Sequence, residues 1–126
     1  VPALNNMPGL HSARYAKADA SDEENREHLK KELIKINVDE AQAFFVCVLV
    51  MLNTPSDPFP LVATGMLEGT IKITSEGMNG FGYDPMFYPL GSNLSLAQMP
   101  NEEKAKLSHR GKAADTLRQK IKDFVS

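Results

Sequence analysis

Cysteine and net charge are almost absent, and no apolar run is long enough to cross a bilayer. Each lack removes a class of protein. The single cysteine among 126 residues, Cys47, excludes an internal disulfide framework and fits a reducing compartment. It lies in the apolar run 43–52, where a buried structural thiol is expected rather than a nucleophile. That run has roughly half the length of a membrane-spanning helix, so it is expected as a core strand, with no membrane partner. A formal net charge of −2 gives no electrostatic footprint for binding nucleic acid. No signal peptide precedes the sequon Asn93-Leu94-Ser95, which is taken as a chance match. A cytoplasmic location is expected.

Familiar catalytic signatures are missing too. No glycine is followed by Lys-Ser or Lys-Thr at Walker spacing, and Gly77, Gly80 and Gly82 do not form the dinucleotide fingerprint. His11, His28 and His109 are far apart and lack metal-ligand spacing. There is no Gly-x-Ser-x-Gly elbow, and nothing visible supplies a nucleophile. Internal repeats and linkers are also lacking, and the length suits one domain with one core. The chain opens Val1-Pro2-Ala3-Leu4, without Met, so either removal of residues or a fragment is expected.

What is present in quantity is glycine and aromatic residues in one place. Residues 77–88 hold Gly77, Gly80 and Gly82, the aromatics Phe81, Tyr83, Phe87 and Tyr88, and the carboxylate of Asp84. Glycines allow positive φ and close approach to a ligand, while Pro85 stiffens the exit. Flat apolar faces beside one fixed acceptor suit a planar heteroaromatic ring better than a phosphate.

The surrounding pattern is helix, strands, helices: an α/β domain with a mixed β-sheet flanked by helices. A short helical turn is expected near Ser12 to Ala16. Ser21-Asp22-Glu23-Glu24 predicts a capping box and a helix to about Ile36, with Leu29, Leu33 and Ile36 inward and its charges solvated. The run 43–52 lacks alternation, which predicts a strand buried on both faces. A turn at residues 54–58 leads to strand structure over 61–74, with a bulge or bend at Glu68-Gly69, and the pair is expected as an antiparallel hairpin. Residues 89–95 are expected to be irregular. Pro100 starts a short helix, and Ser108 opens a last one with Ala114, Leu117, Ile121 and Phe124 on one face.

Three polar groups are candidates for chemistry: Asp84, Lys104, and the cluster Ser108-His109-Arg110-Gly111-Lys112 at a helix start, where free amides favour an anion or an electron-rich carbonyl. Arg110 offers a planar fork of donors, and His109 a donor or acceptor by tautomer. Taken singly, each also fits a structural role: Ser108 as an N-cap, Lys104 as a solvated lysine, Asp84-Pro85 as a turn former.

Four segments together resemble the inosine triphosphate pyrophosphatase (Ham1-like) family, in its bacterial XTP/dITP branch. They are Pro8-Gly9-Leu10-His11-Ser12-Ala13-Arg14-Tyr15; Phe45-x-Cys47; Gly80-Phe81-Gly82-Tyr83-Asp84-Pro85-x-Phe87; and Glu102-Glu103-Lys104 followed by Ser108-His109-Arg110-Gly111-Lys112-Ala113. The resemblance covers essentially the whole chain. Lys17 and Ala41 stand where the family usually has glycine and a basic residue.

The resemblance implies hydrolysis of non-standard purine nucleoside triphosphates (XTP, ITP, dITP) to the monophosphate and pyrophosphate. It implies that Phe81, Gly82, Tyr83, Asp84, Lys104, His109 and Arg110 line the nucleotide site. Hypoxanthine and xanthine present a C6 carbonyl and an N1–H, whereas adenine presents an amino group and a bare N1. If Arg110 or His109 donates to O6 and Asp84 accepts from N1–H, adenine reverses both bonds. Phe81 would stack on the ring. The family's phosphate loop, Mg²⁺ ligands and catalytic Asp-Asp-Ser-Gly carboxylate have no counterpart here, and Asp19, Asp22 and Glu23 belong to a helix cap. The expectation is therefore the base-recognition portion of a Mg²⁺-dependent, homodimeric enzyme, with no catalytic or metal residue in this chain and little activity alone. Apolar surface is expected to lie bare where the remaining sheet would pack. The alternative is a non-catalytic nucleotide-binding or scaffold fragment, and a third reading is an α/β fragment without activity.

Overall fold

A computed structural model describes residues 1–78 and 80–125. Asn79, inside the glycine-rich segment, and Ser126 lie outside the described residues. Contacts divide the chain into two compact units, one of residues 1–44 with 68–100 and one of residues 45–67 with 101–126.

Helix α1 (Asp22–Lys35) begins at the expected capping box. Ser21 Oγ accepts from the Glu24 N–H at 3.1 Å, and Glu24 Oε1 accepts from the Ser21 N–H at 3.0 Å. Two orphan amides of the first turn are thereby satisfied, and three acidic residues there suit the helix dipole. Leu29 and Leu33 are fully buried. Ile36, expected on the same face, is the C-cap residue and is exposed, because the helix has already ended.

Strands β1 (Glu40–Met51) and β2 (Leu61–Lys72) form the expected antiparallel hairpin, and β3 (Phe87–Pro89) adds to β2 in the order β1-β2-β3. The molecule is thus α/β, with an antiparallel sheet flanked by helices. The β2–β3 register pairs Gly69 with Pro89, Thr70 with Tyr88 and Ile71 with Phe87.

Three expectations change at the sheet. β1 is not buried on both faces: Val46, Val48 and Val50 are more than half exposed, and Val62 and Met66 of β2 are exposed as well. Its opposite face, with Ala43 and half-buried Phe45, Cys47 and Leu49, faces inward. A run without polar residues hides which face is covered. β2 does not break at Gly69. A Cβ there would come within 2.7 Å of the Phe87 ring, so this glycine serves the close approach of β3. β3 itself, three residues long, is too short to leave an alternating signature where irregular chain was expected.

In the first unit the core gathers Leu29, Leu33, Ile71, Met86, Phe87 and Leu96. In the second, α2 (Asn101–Leu107) follows Pro100 and packs on α3 (His109–Val125). Helix α3 lies against β2 at Gly65, where an added Cβ would meet the Ala113 amide nitrogen at 2.6 Å. Ala114, Leu117 and Ile121 are half-buried as the spacing predicts, but Phe124 is exposed at the helix end. No helix among the described residues is long and apolar enough to cross a membrane.

Candidate functional site

The glycine-rich segment uses its glycines in different ways. Gly77 has φ +90°, and a Cβ on it would lie 2.6 Å from the Ala97 carbonyl carbon, so its bare backbone lets the chain pack on itself. Gly82 has φ +59° with nothing within 4 Å of an added Cβ, so only its conformation calls for glycine. It sits at the first central position of a turn from Phe81 to Asp84. The Asp84 N–H donates to the Phe81 carbonyl at 3.1 Å, and Tyr83 follows with φ −92° and ψ 5°. A positive φ followed by a residue near φ −90° and ψ 0° is what a type II′ turn requires at these positions, and such a turn favours glycine first. The Phe81 N–H donates in turn to Asp84 Oδ2 at 3.2 Å.

The result is an asymmetric turn. Phe81 is 64% exposed, whereas Asp84 is 6% exposed and begins a 3₁₀ turn with Pro85 and Met86.

The turn is held from outside by residues far away in sequence. The Gly82 N–H donates to Asp22 Oδ2 at 2.9 Å, and Arg26 Nη1 donates to the Gly82 carbonyl at 2.7 Å. The Tyr83 hydroxyl donates to the Ser12 carbonyl at 2.7 Å. Burial foremost, then Tyr15 and Asp22, pushes the Tyr83 phenol far above its ordinary value, so it remains a neutral donor. Ser12 lies in a 3₁₀ segment, Gly9–Arg14, displaced toward the N-terminus from the turn expected at residues 12–16. Asn25, buried on α1, fixes that segment: its Nδ2 donates to the Ala13 carbonyl at 3.0 Å and its Oδ1 accepts from the Ala16 N–H at 2.9 Å.

Sequence reasoning missed Asp22, Asn25 and Arg26 in these roles and assigned the α1 charges to solvent. The available signal was an opposite-charge pair four residues apart with a polar residue between them in an otherwise apolar stripe. The same pattern is common on exposed helices.

The second unit carries the other candidates. Ser108 caps α3, its Oγ accepting from the Gly111 N–H at 3.1 Å. His109 stacks on Phe45 with ring centroids 5.2 Å apart and planes inclined by 16°. Arg110 is exposed beside it, and Lys104 is half-buried on α2. Lys112 Nζ donates to the Met66 carbonyl at 3.1 Å, tying the first turns of α3 to β2. The structure therefore gathers Phe81, Gly82, Tyr83 and Asp84 in the first unit, and Lys104, His109 and Arg110 in the second.

Among the described residues no group of three His, Cys, Asp or Glu side chains is placed to hold a metal ion.

The comparisons with known proteins agree with one another. The model of the Ham1 family matches residues 1–120. The chain is 41% identical over 123 residues to the dITP/XTP pyrophosphatase of Legionella pneumophila strain Lens, covering 98% of this chain and 63% of that protein. To the dITP/XTP pyrophosphatase of Haemophilus influenzae it is 44% identical over 121 residues, covering 96% and 62%. The fold matches a HAM1 protein from Coxiella burnetii with a TM-score of 0.91 at 36% identity, over 97% of this chain and 62% of the other. It matches the Ham1 protein of Staphylococcus aureus with a TM-score of 0.85 at 40% identity, over 98% and 62%. The chain thus spans a little over three fifths of the length of these relatives. Since the family match, the relatives and the fold agree over nearly all of its residues, this chain belongs to the Ham1 family.

Proposed function

We propose that residues 1–126 supply the purine-base recognition of a pyrophosphatase that hydrolyses XTP, ITP and dITP to the monophosphate and pyrophosphate. The observation that carries this reading is the turn at residues 81–84, which sets a nearly buried carboxylate beside an exposed aromatic ring. The names of the Legionella and Haemophilus relatives support the substrate class.

In this reading Phe81 stacks on the base and Asp84 accepts from N1–H of a 6-oxopurine. Arg110 or His109, at the capped start of α3, donates to O6. Gly82 and Tyr83 set the turn, and Lys104 lines the nucleotide site. Adenine leaves both polar partners unmatched, at about 1–3 kcal/mol for each unmet buried group. A site built on hydrogen bonds rejects the wrong ring strongly for this reason. Guanine shares O6 and N1–H, so its exclusion falls at C2. Water activation and Mg²⁺ binding are assigned to sequence corresponding to the remaining length of the relatives, in a cytoplasmic homodimer.

Calorimetry with ITP and ATP tests the base reading. The chain is expected to prefer ITP, and Asp84→Asn and Arg110→Ala are each expected to narrow that preference by about tenfold or more. Unchanged discrimination in both variants removes the base assignment. A pyrophosphate-release assay with ITP and Mg²⁺ separates binding from hydrolysis.

A further inference from the structure

Glycine is the residue with the most backbone freedom, yet Gly82 is gripped on both sides by one helix. Its N–H belongs to the peptide that joins it to Phe81, and its carbonyl to the peptide that joins it to Tyr83. Asp22 Oδ2 accepts from the first at 2.9 Å, and Arg26 Nη1 donates to the second at 2.7 Å. Asp22 and Arg26 are four residues apart on α1, so they emerge on one face, one turn above the other. Both bonds involve an ionised partner, which makes them stronger than neutral ones.

Holding the two peptide planes that flank a Cα fixes both of its soft torsions. The φ of +59° at Gly82 is thereby selected from the wide range open to glycine. Phe81 stands immediately before this point and Asp84 two residues beyond it. The direction of the Phe81 ring relative to the Asp84 carboxylate therefore depends on the Gly82 torsions. Tyr83, between them, is anchored separately through its hydroxyl to Ser12. Helix α1 is in turn seated by Leu29, Leu33 and Asn25, all buried, so the grip comes from a rigid element.

We infer that Asp22 and Arg26 are positioning residues for the purine site: by fixing the peptides around Gly82 they set the geometry between Phe81 and Asp84, and so the discrimination between 6-oxopurines and adenine. The inference rests on the proposed base-recognition role of this turn, and it adds two residues that touch no substrate. Their effect is on selectivity, because a turn freed at Gly82 still presents an aromatic face, while its acceptor is then held relative to it by the Phe81–Asp84 bonds alone.

The test uses the 126-residue chain, its Arg26→Ala, Arg26→Lys and Asp22→Asn variants, and two measurements. Amide hydrogen exchange without ligand is expected to quicken over residues 80–84 in Arg26→Ala and Asp22→Asn, and to return toward the wild-type rate in Arg26→Lys, which restores a cationic donor. Calorimetry with ITP and ATP is expected to show ITP affinity reduced about tenfold in Arg26→Ala, as for a lost charge-assisted bond, with ATP affinity little changed and partial recovery in Arg26→Lys. Unaltered exchange over residues 80–84 overturns the grip. Quickened exchange with an unaltered ITP-to-ATP ratio overturns the link to selectivity, as does an equal loss for both nucleotides, which marks a purely structural effect. If the wild-type chain binds neither nucleotide, the base-recognition reading fails along with the selectivity claim, and exchange alone then decides the grip.

Discussion

The two groups of candidate residues are held in opposite ways. In the first unit the turn at residues 81–84 is irregular chain, and its anchors come from 56, 60 and 71 residues away: Arg26 and Asp22 to Gly82, and Tyr83 to Ser12. In the second unit His109 and Arg110 start a regular helix, capped three residues away by Ser108 to Gly111 and pressed onto the sheet at Gly65. The turn is fixed by side chains that reach it from far along the chain, the helix start by a neighbouring cap, the Lys112 bond to Met66 and close backbone packing at Gly65. The first arrangement can be loosened one bond at a time without moving a helix. The second resists local change, but a single misplaced methyl displaces the whole helix start.

The sharpest way to break this contrast is Gly65→Ala. Its Cβ would sit 2.6 Å from the Ala113 amide nitrogen, closer than any real contact, and both partners are backbone. Helix α3 must lift, and we expect a loss of about 3 kcal/mol, at the upper end for overpacking. Urea denaturation measures it, and a loss below about 1 kcal/mol would show α3 to be more loosely seated than described.

Asn25→Ala probes the first unit. It removes a buried amide that bridges α1 to the Gly9–Arg14 segment and leaves the Ala13 carbonyl and Ala16 N–H without that partner. The expected cost is about 2 kcal/mol, with faster hydrogen exchange at residues 13–16. The comparison is sharpened if exchange changes remain confined to that segment, because a side-chain anchor fails locally. A loss as large as that of Gly65→Ala would erase the distinction.

How much of this was legible in the sequence follows the same division. The α3 start, the α1 capping box, the β1–β2 hairpin and the Pro100 helix are local features, set by residues within about one turn or one hairpin, and the structure places them where the pattern predicts. The glycine-rich segment was recognisable by composition, but the separate duties of Gly77 and Gly82 were not, because they depend on Ala97 and on α1. Asp22 carried a sufficient local explanation as a first-turn acid, and that concealed its bond to Gly82. β1 was misjudged for a related reason: a uniformly apolar strand carries no record of which face another element covers.

The smallest expected effect concerns the two helix starts and their response to acid. Helix α1 has Asp22, Glu23 and Glu24 in its first turn, and Glu24 takes part in the cap itself; α3 has no acidic residue there and is capped by a hydroxyl. The hydrogen bond from the Ser21 backbone, and then that from Lys17, holds the Glu24 carboxyl below its ordinary value. A carboxylate whose pKa is lower in the folded state binds its proton more readily when unfolded. Its contribution is therefore complete above the unfolded value of about 4.3 and is lost as pH falls through the lower folded one. Glu24 is fully exposed, so the loss is small and salt-dependent. Glu24→Gln keeps an oxygen that can accept from the Ser21 N–H but cannot titrate. Stability measured by urea between pH 6 and pH 3 is expected to fall slightly less steeply in Glu24→Gln than in wild type, whereas Ser108→Ala is expected to lower the whole profile without changing its slope. If the Glu24→Gln and wild-type slopes coincide, the α1 cap gains nothing from its charge, and the two helix starts then differ in chemistry but not in their response to acid.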